Sequence, residues 1–166
     1  MKKKLYLLVG PAGSGKTTWV REHATPGTSA HISRDRIRFS MLKEGEYYFA
    51  REDEVLQEFL NQVVAAWKCP WVDEIYVDAT HLAEGARKRV VLFAEEAGCE
   101  FDLIAVVIKP SLEQCLEQNA KRTGRECVPE KVIRNMYACM TSPLCDDLHY
   151  DMIFENDRII YGKVEE

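Results

Sequence analysis

The stretch Gly10-Pro11-Ala12-Gly13-Ser14-Gly15-Lys16-Thr17 decides the fold class of this 166-residue chain. It follows the pattern G-x-x-x-x-G-K-[ST], in which glycines let the backbone wrap a phosphate with its N–H groups pointing inward. An apolar run before it, residues 4–9 (KLYLLV), indicates a buried strand, and residues 16–24 (KTTWVREHA) indicate a helix. A phosphate would then lie at the positive end of that helix. The stretch therefore predicts a site for the phosphates of a nucleotide.

Side chains of this loop and one later acid are candidates for holding a nucleoside triphosphate and Mg²⁺. Lys16 would reach the β- and γ-phosphates, and the Thr17 hydroxyl would bind Mg²⁺. Asp78 lies near the end of a predicted strand at residues 74–79 (EIYVDA), where a metal-supporting acid belongs in such a fold. Thr17 and Asp78 are therefore the candidate metal-binding residues, and ATP or another NTP is the expected nucleotide. The candidate nucleotide-binding residues of the loop are Gly10, Ala12, Gly13, Ser14, Gly15, Lys16, Thr17 and Thr18.

Strand and helix patterns alternate along the rest of the chain. The further predicted strands are residues 29–33, 101–109 and 151–162, the last with a hairpin about Asn156-Asp157. The further predicted helices are an arginine-rich one after residue 33 and residues 51–68, 83–98, 112–122 and 130–140. Strands separated by helices form βαβ units. We therefore expect one α/β domain, residues 1–166, with a mostly parallel central sheet flanked by helices on both faces.

The composition is that of an ordinary globular protein. Hydrophobic residues make up 46% and charged residues 30% of the chain, and no run approaches the ~18 apolar residues that a membrane span requires. The apolar stretch after the basic N-terminus is too short for a signal peptide, so we expect a cytoplasmic protein without a membrane partner. The cysteines form no C-x-x-C pair, which favours reduced thiols; they are Cys69, Cys99, Cys115, Cys127, Cys139 and Cys145.

The formal net charge of −5 is concentrated at the C-terminal end. Residues 141–166 hold seven acids and two basic residues, so this segment alone carries a charge of −5. Residues 1–140 are neutral, with 20 charges of each sign. A local basic site for an anionic partner is therefore compatible with the acidic total.

Asp35 is the one acid among three arginines in residues 31–41 (HISRDRIRFSM). It follows the second predicted strand, so in a parallel sheet it lies at the same carboxyl edge as Lys16 and Asp78, where ligands bind. A carboxylate there can accept the proton of an attacking hydroxyl. Arg38, one helical turn later, would share its face and grip an anionic acceptor. An ordinary i,i+3 ion pair between the two side chains is the other interpretation.

A basic segment between two predicted helices is a candidate lid. Residues 119–129 (NAKRTGRECVP) place Lys121, Arg122 and Arg125 around Gly124. A mobile lid at about residues 121–128 would close over the triphosphate, where its guanidinium groups would meet charge developing on the transferred phosphoryl group. A solvated helix end with its usual basic residues is the alternative interpretation.

With these motifs in this order, the sequence resembles the kinase domain of polynucleotide 5′-hydroxyl kinases, known from phage, eukaryotic and bacterial end-repair enzymes. The resemblance runs from Leu5 to about residue 140. HISRDRIR is similar to the family's strand ending in N-R-D, VDATHL to its D-x-T-N segment, and residues 119–140 to its K-R-G lid and the following helix. Ser33 and His81 replace the family's asparagines, and the lid has an extra residue before its glycine. We assign His81 no general-base role.

The resemblance implies a P-loop kinase that transfers the γ-phosphoryl group of ATP, with Mg²⁺, to the 5′-hydroxyl of DNA or RNA. It gives Asp35 the role of general base, with Arg34 and Arg38 at the acceptor. Arg122 would stabilise the transferred charge, and whether Arg122 or Arg125 contacts the donor phosphates is left open.

The resemblance covers the kinase half of these enzymes, and we expect no phosphatase domain in residues 1–166. Whether separate phosphatase or ligase partners exist is left open. Two alternative functions also remain. One is a kinase of a small metabolite or a zeta-toxin-like kinase, and the other is a nucleotide-binding regulatory ATPase module.

Overall fold

A computed structural model describes residues 1–163 of the chain, so two of the seven C-terminal acids, Glu165 and Glu166, lie outside the described residues. The strands are β1 (Lys3–Val9), β2 (Ser29–Ser33), β3 (Glu74–Asp78), β4 (Phe101–Val107), β5 (Met152–Glu155) and β6 (Arg158–Tyr161). The helices are α1 (Lys16–His23), α2 (Arg34–Met41), α3 (Glu52–Lys68), α4 (Glu84–Glu96), α5 (Leu112–Ala120) and α6 (Glu130–Cys139). The predicted elements are confirmed, with ends that agree to within two residues.

The strands form one sheet in the order β2-β3-β1-β4-β5-β6. All neighbours pair in parallel except β5 and β6, which form an antiparallel hairpin. The hairpin turns at Asn156 and Asp157, whose φ angles of 47° and 64° are in the left-handed region that these two residue types tolerate. The predicted, mostly parallel α/β sheet is therefore confirmed, and so is its closing hairpin.

Both faces of the sheet are buried, as the unbroken apolar run of β1 predicts. Leu5, Leu7 and Val9 belong to the core on the face that carries α3 and α4. Leu8 belongs to the core on the other face, together with Val20 of α1. Because successive side chains of a strand point to opposite faces, one short strand serves both cores. The sheet is thus held rigidly between two layers of helices, with its carboxyl edge free for a site.

A buried ion pair fixes the segment that follows α6 against α4. Arg87 binds Asp146 through Nε and Nη2, at 2.6 and 2.7 Å, and both side chains are almost fully buried. The Tyr150 hydroxyl donates to the same carboxylate at 2.6 Å. Arg87 also donates through Nη1 to the carbonyl of His81, 2.8 Å away. Arg87 therefore also holds the loop between β3 and α4, through its bond to the carbonyl of His81.

All six cysteines are free thiols, of which Cys99 and Cys115 are buried. Burial raises the pKa of both buried thiols. None of the helices within residues 1–163 has the length and apolar character to cross a membrane.

Candidate active site

The phosphate-binding loop leaves β1 at Val9 and enters α1 at Lys16. Two of its glycines require positive φ angles, 78° at Gly13 and 98° at Gly15, which caps the helix. A Cβ atom on Gly13 would also collide with the carbonyl oxygen of Cys115 in α5. The loop therefore packs against α5 at Gly13 and leads through Gly15 into the N-terminus of α1. The sequence pattern predicts this position for a phosphate-binding loop.

Lys16 is buried within the loop that it follows. Its Nζ donates to the carbonyl oxygens of Gly10 and Pro11, at 3.0 and 2.8 Å, and lies 3.4 Å from the Ser14 hydroxyl. Burial lowers the pKa of Lys16 from 10.5 to about 8, an effect that the nearby carboxylate of Asp78 opposes. The ammonium group is thus held in the loop, where phosphate oxygens would be its natural counter-charge.

Asp78 accepts two hydrogen bonds on one carboxylate oxygen. The Thr17 hydroxyl donates to Oδ2 at 2.8 Å, and Nε2 of His31 lies 2.8 Å from the same atom. Burial alone would raise the pKa of Asp78, but the bonds from His31 and Thr17 and the charge of Lys16 outweigh it and lower that pKa. An ionised carboxylate beside a hydroxyl offers the oxygen ligands that Mg²⁺ prefers. Thr17 and Asp78 therefore fit the predicted metal-binding role.

His31 is a site residue that the sequence did not reveal. Its contact with Asp78 joins residues 47 positions apart in the chain. The contact exists because β2 pairs with β3 in a register that sets Ser33 opposite Asp78. Since strand order is not readable from local pattern, His31 gave no sequence signal beyond its place in a strand that ends at the ligand edge.

Asp35 lies in the first turn of α2, which begins where β2 ends. Ser33 caps this helix by accepting a hydrogen bond from the backbone N–H of Arg36, at 3.2 Å. Oδ1 of Asp35 accepts hydrogen bonds from the Tyr48 hydroxyl and from Nη1 of Arg38. Burial, together with the Asp35 charge, raises the pKa of Tyr48, so its hydroxyl stays protonated as a donor. Half of the Asp35 side chain is exposed, which leaves the carboxylate accessible to a ligand.

The two arginines expected at the acceptor share a carboxylate partner from α3. Arg38 is 4% exposed and donates through Nη2 to both carboxylate oxygens of Glu52. Its Nη1 also donates to the Tyr48 hydroxyl at 2.6 Å. Arg34 pairs with the same Glu52 through Nη2. Glu52, which lies outside residues 31–41, therefore offsets part of the positive charge of that stretch. The ion pair of Arg38 with Asp35, which was the other interpretation of the sequence, is also present.

One cavity of about 610 Å³ brings these groups together. It is lined by the phosphate-loop residues Lys16 and Thr17, by Asp78, and by Asp35. The basic residues on its wall are Lys16, Arg34, Arg38, Arg122 and Arg125, and the acidic ones are Asp35, Glu52 and Asp78. Five basic against three acidic side chains give the cavity lining a formal charge of +2, in a chain of net charge −5. The cavity suits an anionic ligand.

The two arginines of the predicted lid have different surroundings. Arg122, just after α5, lines the cavity, and its charge adds to the burial that lowers the pKa of Lys16. Arg125 reaches away and donates through Nη1 to the carbonyl oxygens of Lys43 and Glu46, at 3.1 Å each. Arg122 thus faces the phosphate loop, whereas Arg125 also lines the cavity but is bonded to the segment between α2 and α3.

Asn119 holds the two ends of the predicted lid together. Its Nδ2 donates to the carbonyl oxygen of Val128 at 2.6 Å, and its Oδ1 accepts from the N–H of the same residue at 2.9 Å. The intervening segment contains a single 3₁₀ turn at Gly124–Glu126. Asn119 is 5% exposed, so these bonds are sheltered from water. The two ends of the segment are therefore held together, and its role as a lid stays a prediction.

His81 is buried and neutral. Nδ1 donates to the carbonyl oxygen of Leu8 at 2.6 Å, since a carbonyl can only accept. Burial lowers the pKa of His81 from 6.5 to about 4, although the Leu8 bond opposes the shift. The residue has a φ of 44° and 3% exposure. Where the resembled family has asparagine, this chain therefore uses an uncharged imidazole to tie the loop after β3 to the end of β1.

A family model described as an AAA domain matches residues 5–143. The chain belongs to this family. The match spans the phosphate loop, Asp35, Asp78 and the predicted lid, so every candidate site residue of this AAA domain lies within it.

Solved structures share the fold of this AAA domain. The structure of the Pnkp1/Rnl/Hen1 RNA repair complex has a TM-score of 0.67 at 23% identity, covering 82% of this chain and 43% of that chain. Kti12 from Chaetomium thermophilum, solved with ADP-AlF3, has a TM-score of 0.59 at 17% identity, covering 92% and 89%. A fungal RNA kinase has a TM-score of 0.54 at 14% identity, covering 84% and 65%. At these identities the likeness establishes a P-loop kinase-like fold.

One relative differs greatly in length. A protein named transcription factor bHLH140, from Arabidopsis thaliana, is 27% identical over 125 residues. The match covers 75% of this AAA domain but only 12% of that protein. The chain also spans less than half of the matched chain in the RNA repair complex. These comparisons therefore describe the shared domain only.

Proposed function

We propose that this AAA domain is a polynucleotide 5′-hydroxyl kinase, which transfers the γ-phosphoryl group of ATP to a 5′-hydroxyl end of DNA or RNA. The observation that carries the proposal is that Asp35 lines the same cavity as Lys16, Thr17, Asp78 and Arg122. An accessible carboxylate at the mouth of a phosphate-binding cavity is what a kinase needs to deprotonate an alcohol.

The donor side uses the loop and the residues around it. Backbone N–H groups of Ala12, Gly13 and Gly15–Thr18 and the ammonium of Lys16 would bind the β- and γ-phosphates. The N–H groups of Gly10 and Ser14 donate instead to the carbonyl oxygens of Thr80 and Pro11. Mg²⁺, held by Thr17 and Asp78, would neutralise charge on the donor phosphates. His31 keeps Oδ2 of Asp78 in place through its 2.8 Å contact. We extend this proposal to residues 121–128 as a lid, in which Arg122 contacts the transferred group.

The acceptor side centres on Asp35. Both of its hydrogen bonds within the described chain fall on Oδ1, which leaves Oδ2 for the acceptor hydroxyl. In the proposed step the hydroxyl proton passes to Asp35 while the 5′-oxygen bonds to the γ-phosphorus. The bond from that phosphorus to the β,γ-bridging oxygen breaks, and ADP leaves. The guanidinium of Arg122 would stabilise the charge that develops on the transferred group.

In the proposed mechanism Arg38 orients Asp35, the general base. Its guanidinium joins Asp35, Tyr48 and Glu52 in one partly buried hydrogen-bond network. The acceptor-phosphate contact expected from the sequence stays a prediction for Arg38 and for Arg34. Glu52 bonds only Nη2 of each arginine, and Nε of both lies buried without a hydrogen-bond partner within the described chain, so such a contact need not displace Glu52.

Two findings support a polynucleotide as the acceptor. The cavity lining carries a formal charge of +2, which favours a phosphate-rich ligand. A fold neighbour, moreover, belongs to an RNA repair complex. We include in the proposal that an enzyme joining 5′-phosphate ends, such as a ligase, acts on the product.

The test measures transfer of γ-³²P from ATP to a 5′-hydroxyl oligonucleotide, with the same oligonucleotide carrying a 5′-phosphate as the matched control. We expect labelling of the first and none of the second, and no transfer by Lys16→Ala. Labelling of components of a metabolite mixture alone would instead identify a small-molecule kinase. Release of inorganic phosphate without any labelled acceptor would identify a regulatory ATPase.

A further inference from the structure

Three consecutive aromatic residues, Tyr47, Tyr48 and Phe49, lie in the segment between α2 and α3. The middle one is anchored, because its hydroxyl bonds Asp35 and its ring lies 4.1 Å from the guanidinium carbon of Arg38. The two flanking rings are turned outward, with 71% of Tyr47 and 53% of Phe49 exposed. The anchored residue therefore fixes the chain that presents two exposed rings beside the proposed base.

Both exposed rings line the cavity that holds Asp35. Phe49 packs edge-on against Tyr48, with ring centroids 4.7 Å apart and an interplanar angle of 85°. Its ring centroid is also 5.8 Å from the guanidinium carbon of Arg38. Leaving large aromatic surface in water at a site mouth is unfavourable unless a ligand covers it. The ring of Phe49 is thus held in place by Tyr48 and Arg38, and both exposed rings present apolar surface to a flat ligand.

Apolar residues outside the aromatic segment, which we define as residues 42–51 between α2 and α3, also line the cavity. Helix α6 contributes Val132 and Met136, and Pro129 precedes it. The cavity lining therefore combines charged residues such as Lys16 with apolar residues from the aromatic segment and α6. The charged residues suit phosphate groups. The apolar residues suit a nucleotide base, which has two apolar faces.

Two sets of contacts hold the aromatic segment in place. Arg125 donates to the carbonyl oxygens of Lys43 and Glu46. Arg51 binds the Glu46 carboxylate through Nε and Nη2, at 2.8 and 2.9 Å. The proposed lid and the aromatic segment are therefore bonded to each other on one side of the cavity.

We propose that Tyr47 and Phe49 form a stacking platform for the unpaired base of the acceptor's 5′-terminal nucleotide. The proposal rests on the function proposed above and specifies its substrate, a polynucleotide whose 5′ end is single-stranded. Basic residues interleaved with exposed aromatic rings are the combination by which proteins bind single strands without sequence preference. A base held in a blunt duplex would have to leave its pair to stack on the platform.

The experiment compares three acceptors in steady-state kinetics. They are a single-stranded 5′-hydroxyl oligonucleotide, the same strand with an abasic 5′-terminal residue, and the same strand in a blunt duplex. For the parent protein we expect KM to rise about fivefold to a hundredfold when the terminal base is removed, which is the range of base–aromatic stacking. The blunt duplex should be a poorer acceptor than the single strand.

Variants of Tyr47 and Phe49 test whether these two rings cause the difference in KM between the base-bearing and the abasic strand. Phe49→Ala and Tyr47→Ala should each raise KM for the base-bearing strand about fivefold or more, and leave KM for ATP and for the abasic strand unchanged. Phe49→Trp should restore the lower KM. The matched controls are Tyr161→Ala and Trp71→Ala, since these rings are 53% and 75% exposed and do not line the cavity. Both controls should behave as the parent does.

Equal KM values for the abasic and the base-bearing strand would overturn the platform while leaving the kinase proposal intact. A rise in KM for ATP in Phe49→Ala would overturn it too, by assigning the rings to the donor base. Failure of the proposed function is a separate result, namely no transfer to any polynucleotide. In that case an oligonucleotide with 5-iodouracil at its 5′ end is photo-crosslinked to the protein. A crosslink at Tyr47 or Phe49 supports the platform, and its absence there overturns it.

Discussion

Glu52, the first residue of α3, accepts two hydrogen bonds from Nη2 of Arg38 in α2, at 2.9 and 2.8 Å. The arginine is almost completely buried, whereas about a third of the glutamate side chain is exposed. A buried guanidinium needs a counter-charge because desolvation of an unpaired charge is costly. The pair therefore fixes the orientation in which Nη1 of Arg38 reaches Asp35.

Removing Glu52 should destabilise the protein and misplace the proposed base. We expect Glu52→Ala to lower the free energy of unfolding by about 1–3 kcal/mol, less than for a fully buried pair because Glu52 is partly solvated. The measurement is urea denaturation of the parent, Glu52→Ala, Arg38→Met and the double variant. Glu54→Ala is the control, since Glu54 is 65% exposed and should change stability little. Additive effects of Glu52→Ala and Arg38→Met would show that the two residues are not coupled.

Asp35→Asn removes the proposed base and keeps the shape of its side chain. We expect kcat to fall by roughly 10²–10⁴ with little change in KM for ATP, because proton acceptance contributes to the transition state. Stability should hardly change, since the amide oxygen can still accept from Tyr48. Steady-state kinetics with a 5′-hydroxyl oligonucleotide and a urea titration provide both readouts. Normal turnover, or loss of the folded state, would make Asp35 a structural ion-pair partner.

Local pattern was sufficient for the fold and for part of the site. Gly10–Thr17 is contiguous, and Asp35 and Asp78 each end or follow a recognisable strand, so their common edge follows from parallel pairing alone. The i,i+3 contact of Arg38 with Asp35 is likewise local. By contrast, Glu52 and Tyr48 meet Arg38 across 14 and 10 residues, through a segment without regular periodicity. His31 meets Asp78 only because of the strand order. These three depend on tertiary packing, which local sequence does not encode in readable form.

Arg122→Ala and Arg125→Ala should change different kinetic constants, because the two side chains have different surroundings. Arg122→Ala should lower kcat more than it weakens ATP binding, because a contact with the transferred group strengthens as charge develops. Arg125→Ala should instead raise KM for the acceptor, since Arg125 holds the segment that carries Tyr47–Phe49. Initial rates over a grid of ATP and oligonucleotide concentrations distinguish these effects. If Arg125→Ala lowers kcat and Arg122→Ala raises KM for the acceptor, Arg125 is the residue at the donor phosphates. The alignment of residues 121–128 with the resembled family's lid would then shift by the inserted residue.

His81 makes the stability of the protein depend on pH in a predictable direction. Burial lowers the pKa of its imidazole to about 4 in the folded state, whereas an unfolded chain has a pKa of about 6.5. Between these values the unfolded chain binds a proton that the folded chain does not. The free energy of unfolding should therefore fall as pH falls from about 6.5 to about 4, by on the order of 3 kcal/mol from this residue.

His81→Asn isolates that contribution, because asparagine cannot titrate and tolerates the φ of 44° at this position. Urea midpoints at several pH values between 7.5 and 4.5 should decline less steeply in His81→Asn than in the parent. Subtracting one curve from the other cancels the contribution of the carboxylates, which titrate in both proteins. His149→Asn is the control, since that side chain is exposed and should leave the parent's slope unchanged. Parallel curves for the parent and His81→Asn would mean that the imidazole accepts a proton within the folded protein, through water or a local opening of the loop after β3.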